Sequence, residues 1–185
     1  MNITPRDIIN ASCCSPKVLE RLKPYLPEYG RLIDEMLKYQ DDDRPLPKNN
    51  VFYTALNLKQ AHFTKLIKQF YDDATNLIQN QSLLGEGEIE TELHFTKQFA
   101  NFRFKYRFLS LPRIGDEIDF YFVKPLLMGL TYYYVDSVTF NLEASAEINV
   151  NCRFGSYNPY EFFKRYKEKH EDYDAWSKKE FRKYK

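Results

Sequence analysis

Apolar residues recur at helical spacing through the first 84 positions, then switch to strict alternation from about Glu88. Thr4 followed by Pro5 reads as an N-cap with proline at the first helical position, and Ser15 followed by Pro16 repeats the signal. Lys17 to Leu22 continues that second helix until Pro24 and Pro27 interrupt it. Leu32, Ile33, Met36 and Leu37 place a third helix over Glu28 to Tyr39, which the run Asp41 to Pro47 ends. A longer helical block spans about Asn49 to Gln79. Gly85 and Gly87 mark the change of period. Strands are predicted at about 88–96, 101–109, 117–123, 131–142 and 147–154, and a helical tail from Asn158.

The alternation also predicts how the strands pair. Glu88, Glu90 and Glu92 alternate with Ile89, Thr91 and Leu93, while Arg103, Lys105 and Arg107 alternate with Phe102, Phe104, Tyr106 and Phe108. A hairpin that sets Glu92 opposite Arg103, Glu90 opposite Lys105 and Glu88 opposite Arg107 makes three opposite-charge pairs and one continuous apolar face. A slip of one residue would reverse every side chain. The charge ladder is therefore expected to fix register on a wet face rather than to bind nucleic acid. The last two strands are expected to pair Leu142 with Ile148, Phe140 with Val150 and Val138 with Cys152, which makes Cys152 a core residue. Asp116 reads as a turn residue. Glu117 and Asp119 share a wet strand face, so no carboxylate site is expected there.

Composition narrows the function classes. The 185 residues carry 27 Lys and Arg against 26 Asp and Glu, a net charge of +1, which excludes a uniformly basic nucleic-acid binder but not a local basic surface. Aromatic residues make up 17%, enough for a wide core in a short chain and for contact surfaces wherever some stay exposed. Six glycines and no glycine-rich loop argue against a phosphate cradle. Cys13, Cys14 and Cys152 form neither a disulfide framework nor a C-x-x-C pair, and His62, His94 and His170 have no ligand spacing, so no metal and no cofactor are expected. No signal-peptide pattern and no apolar run of membrane length occur, which points to a cytoplasmic, reducing setting. No nucleophile–base pair is evident and no small-molecule substrate is indicated, so a non-enzymatic role is expected.

The segment from Asn49 to Phe70 carries the strongest motif-like feature. Phe52, Leu56, Leu58, Phe63 and Leu66 occupy buried-type positions, Asn57 stands at the turn, and a second helix opens at Gln60. This resembles the helix-turn-helix of DNA-binding proteins, with Glu28 to Tyr39 as a supporting helix. Tyr53 departs from it, standing where a small residue is usual. The resemblance implies that the second helix enters the major groove and that Gln60, Ala61, His62, Thr64, Lys65, Lys68 and Gln69 face outward. Gln pairs with adenine, Lys with guanine or phosphate, and Thr with several bases. Against this stands an ordinary helical hairpin with a solvated face, on which His62 is a plain surface residue. The strand cadence after Gly87 is similar to the small bent β-barrels of nucleic-acid-binding domains and of phage head–tail joining and tail proteins.

The tail, 156–185, holds nine basic and six acidic residues, so it is the one locally basic third of the chain. Asn158, Pro159 and Glu161 open a helix. Phe162, Phe163 and Tyr166 share one side of it, and Tyr173 and Trp176 follow. Ser177 to Glu180 has capping-box spacing and is expected to open a separate last helix. These aromatics are expected to dock on the barrel, or on a protein partner, a second copy of the chain or nucleic acid. The sequence thus reads as an α+β protein: a helical region (1–84), a five-stranded antiparallel small barrel or curled sheet (85–155) and a helical tail (156–185). It leads to a DNA-binding protein, or alternatively to a structural subunit of a phage particle or similar assembly, located in the virion.

Overall fold

In the computed structural model, residues 3–39, 46–97, 100–127, 129, 132–141 and 147–182 are described; the side chains of 97, 100 and 172–182 lie outside that description. Six α-helices occur among them: α1 (Pro5–Cys13), α2 (Pro16–Leu22), α3 (Gly30–Leu37), α4 (Asn49–Ala55), α5 (Gln60–Asn80) and α6 (Pro159–Arg182). Six strands accompany them: β1 (Leu84–Gly85), β2 (Ile89–Lys97), β3 (Ala100–Phe108), β4 (Glu117–Ile118), β5 (Tyr133–Asn141) and β6 (Glu147–Phe154). The fold is mixed α+β, with a curled sheet and a C-terminal helix.

Local chemistry sets the helix boundaries. Thr4 and Asp7 form a reciprocal capping box at α1, with Pro5 inside it. Pro24 and Pro27 do interrupt the chain after α2, and each sits in a one-turn 3-10 helix, Lys23–Tyr25 and Pro27–Tyr29. The block predicted over 49–79 is two helices, α4 and α5. At α6 the Asn158 carboxamide accepts from the Tyr160 and Glu161 amides at 3.0 and 3.5 Å. The separate helix expected from Ser177 does not occur. No Gly or Pro stands between Tyr160 and Arg182, so nothing stops the first helix there.

The sheet order is β1-β3-β2-β6-β5-β4. It corrects the all-antiparallel expectation, and to the five expected strands it adds the two-residue β1. β2 with β3 and β5 with β6 are antiparallel hairpins, but their inner strands β2 and β6 pair in parallel, as do β1 and β3. The strand expected at 117–123 contracts to β4 and a 3-10 turn, Tyr121–Val123. Consecutive Phe122 and Val123 are both fully buried, which an alternating strand with one wet face does not allow.

Both predicted registers keep their faces and miss their partners. In the first hairpin Glu92 lies opposite Lys105 and Glu90 opposite Arg107, two residues from the expected pairing. Because the offset is even, the faces survive. Leu93, Phe95, Phe102 and Phe104 are buried on one side, and on the other Arg103 reaches Glu92 at 3.6 Å and Lys105 and Arg107 reach Glu90 at 3.7 Å each. In the second hairpin Phe140 pairs with Ile148 and Val138 with Val150. Leu142, expected opposite Ile148, lies outside the described residues. The register then shifts at Asp136, so that Val135 pairs with Cys152. The bulge turns Val135 and Val138, three positions apart, toward the same face. Cys152 is buried, as its alternation predicted.

One core joins sheet and helices. It runs from Ile8 and Ile9 through Leu32, Phe52, Phe63, Ile67 and Phe70 to Phe95, Phe104, Val135 and Val150. Gly85 belongs to its rim for a steric reason. Its φ is +85°, and a Cβ there would lie 2.0 Å from the Arg107 carbonyl oxygen. Arg21 of α2 ties this corner, donating to the Gly85 carbonyl at 2.8 Å and to Glu86 at 3.0 Å.

Candidate nucleic-acid interface

The unit α3–α4–α5 is held by rings. Tyr39, just past α3, meets Phe52 edge-on at 5.2 Å, and Phe52 stacks on Phe63 at 6.5 Å. Tyr53 packs edge-on against Phe63 at 6.1 Å. The residue that departs from the helix-turn-helix pattern thus fills the junction of α4 and α5 with an aromatic ring. Of the five buried-type positions, Phe52, Leu56 and Phe63 are buried, while Leu58 and Leu66 are half-buried.

The turn is a left-handed helix stop. The Leu58 amide donates to the Tyr53 carbonyl at 2.8 Å, and the Asn57 amide donates to Thr54 at 3.0 Å. These are the two bonds of a Schellman motif, with Asn57 at φ +56° in the position where glycine is commonest. A short carboxamide residue tolerates that conformation better than most. Lys59 then precedes α5, and no side chain caps the amides of its first turn.

The two sides of α5 differ. Phe63, Ile67, Phe70, Tyr71, Ala74 and Ile78 are buried against the core. Gln60, Ala61, His62, Lys65, Lys68 and Gln69 are exposed, and Thr64 is half-buried. The first ten residues of α5 therefore bring every proposed base- or phosphate-reading position onto one helix, and all but Thr64 face water. Among the described residues neither Lys65 nor Lys68 makes an ion pair.

Two further lysines stand just before the two helices. Lys48, preceding α4, and Lys59, preceding α5, are both exposed. Residues 46–71 contain four lysines and neither Asp nor Glu. The signal was in the sequence, but charge counted by thirds of the chain hid it: the acidic residues on either side cancel it. Within that stretch no carboxylate competes with the lysines, and at its end Asp72 stands four residues after Lys68 on α5.

The tail positions separate. Phe162 is half-buried and lies 5.9 Å from the Tyr157 ring, which packs on Tyr134. Arg165 donates to the Asp136 carboxylate and the Tyr134 hydroxyl, each at 3.1 Å. Phe163 and Tyr166 are 66% and 56% exposed, and Tyr160 is 74% exposed. The tail thus meets the rest of the chain through Phe162 and Arg165 and leaves Tyr160, Phe163 and Tyr166 exposed. Tyr173 and Trp176 fall within α6, and their side chains lie outside the description.

Other chemistry is sparse. Among the described residues no group of three His, Cys, Asp or Glu is placed to hold a metal ion. His94 meets Glu92 at 2.9 Å on the wet face of β2. Burial pushes the Cys13 and Cys152 thiols up to about 12, which leaves them protonated and poor nucleophiles. No described helix is long and apolar enough to cross a membrane. The chain matches no protein-family model, no curated protein and no solved structure.

Proposed function

We propose that this chain is a non-enzymatic DNA-binding protein that lays the outer face of α5 against a duplex. The observation that carries this reading is the division of α5: its inner face is locked into the core, and its outer face presents Gln60, His62, Lys65, Lys68 and Gln69 to solvent. The lysines supply phosphate contacts, and the glutamines supply paired donors and acceptors for base edges. The uncapped first turn of α5 adds outward amides at the positive end of a helix dipole. Anchoring in the core gives this face a fixed direction, which register on a duplex requires.

The test is a fluorescence-anisotropy titration with mixed-sequence duplex DNA at several salt concentrations. Binding should weaken steeply with salt, log K falling by about 0.9 per phosphate contacted for each unit of log salt. Absence of binding at low salt would end the proposal.

A second reading has its own support. Tyr160, Phe163 and Tyr166 remain exposed on α6, and aromatic rings of that size favour protein contacts. On this reading the chain is a structural subunit of a particle or similar assembly. A large, defined oligomer indifferent to DNA would select it.

A further inference from the structure

α6 is a 24-residue helix, about 36 Å long, whose described contacts with the rest of the chain, through Phe162 and Arg165, lie near its start. Phe162 and Arg165 are the last described residues on it that are shielded; Tyr166 through Glu171 are all exposed. Most helical stability in proteins comes from tertiary packing rather than from propensity. Its aromatics recur along one broad side at positions 163, 166, 173 and 176.

The order of charge along α6 identifies what it fits. Residues 164–169 are Lys, Arg, Tyr, Lys, Glu, Lys and carry +3. Residues 170–175 are His, Glu, Asp, Tyr, Asp, Ala and carry −3 with His neutral. A second α6 running antiparallel, with a two-fold axis between positions 169 and 170, sets each basic block beside the other copy's acidic block. The same axis puts position 163 level with 176 and position 166 level with 173, so aromatic positions coincide in four layers. A parallel pair would place like charges together. Within one helix these charges achieve little: Lys167 meets Glu171 at 3.7 Å, an exposed pair of small value.

We propose that α6 is a self-association helix that pairs antiparallel with α6 of a second copy of this chain. The inference stands apart from the DNA reading and uses a different surface. The 185-residue chain should therefore sediment at twice its 22.2 kDa. Reversing one block, by Lys164→Glu, Lys167→Glu and Lys169→Glu together, or by Glu171→Lys, Asp172→Lys and Asp174→Lys together, should give a monomer. An equimolar mixture of the two reversed proteins should recover the double mass, although neither regains its own intrahelical pairs. Circular dichroism of each reversed protein separates loss of pairing from loss of the helix, since the mixture must re-form dimer from whatever helix remains.

Orientation is read by cross-linking in a Cys14→Ser background. His170→Cys lies beside the axis and should form a disulfide with its own copy. Ser177→Cys, on the same side of the helix seven residues on, would lie about 20 Å from its own copy and should not. A monomeric wild-type protein at tens of micromolar, or cross-linking at both positions, overturns the proposal.

Discussion

The Tyr71 hydroxyl on α5 donates to the Phe122 carbonyl at 2.8 Å, inside the core. It joins the central helix to the 3-10 turn that replaces the predicted end of a strand. Tyr71 and Phe122 also meet ring to ring at 5.5 Å. The Phe122 carbonyl, released from any ladder, finds its donor across the core. Tyr71→Phe should keep the packing and strand that carbonyl, costing about 1–2 kcal/mol. Urea unfolding measures it, and an unchanged midpoint would mean that water reaches the carbonyl.

Asn57 offers a cleaner backbone test. At φ +56° a glycine is at least as comfortable, and a β-carbon without a carboxamide is not. Asn57→Gly should leave stability within a few tenths of a kcal/mol, and Asn57→Val should lower it by about 1–2 kcal/mol. Equal stability of the two variants would contradict the left-handed turn.

For the nucleic-acid surface, Lys65→Ala with Lys68→Ala should weaken duplex binding by about tenfold or more at low salt. It should also make the salt dependence shallower by about 0.9 per lost phosphate contact. Both residues are exposed, so thermal stability should stay within about 0.5 kcal/mol. An unaltered affinity and slope would move the contact elsewhere.

Thiol chemistry follows burial. Cys13 and Cys152 are each 2% exposed, whereas Cys14 is exposed. A thiol reagent should modify one cysteine per chain in the native protein and three after denaturation. Raised thiol values also predict alkaline lability. Unfolding restores the ordinary value of 9.0, so the unfolded chain loses these protons first, and stability falls as pH rises from 9 toward 12. Each thiol contributes a limiting slope of about 1.4 kcal/mol per pH unit. Tyr29 and Tyr71, also raised by burial, act in the same direction at higher pH. A flat urea midpoint between pH 8 and 10.5 would contradict the burial of both thiols.

Local signals proved readable where they depend on neighbours in sequence. Thr4 with Asp7, Asn158 with Pro159, and the faces of β2 and β3 follow from capping rules and alternation. Pairing choices did not, because they depend on residues far apart. A register offset of two conserves both faces and all charge signs, so Glu90 is as well placed opposite Arg107 as opposite Lys105. The bulge at Asp136 has no marker of its own; its carboxylate is matched by Arg165, from a helix that begins 23 residues later. The exposed positions of α5 were legible from periodicity, and the lysines flanking it were missed because charge was summed over too long a window.

The parallel pairing of β2 with β6 bears on how the chain reaches this structure. Leu93 pairs with Val150, 57 positions later, and everything between is the outer halves of two hairpins and their connection. A ribosome completes the first hairpin long before β6 emerges, and through that interval the inner edge of β2, with Leu93 and Phe95, has no partner. The topology divides the sheet into two hairpins joined along one seam, and closing that seam spans a long loop. Truncation before Glu147 therefore yields more than a shorter protein: it leaves an open template, and a nascent chain stalled there is most exposed to pairing with its neighbours on the same message.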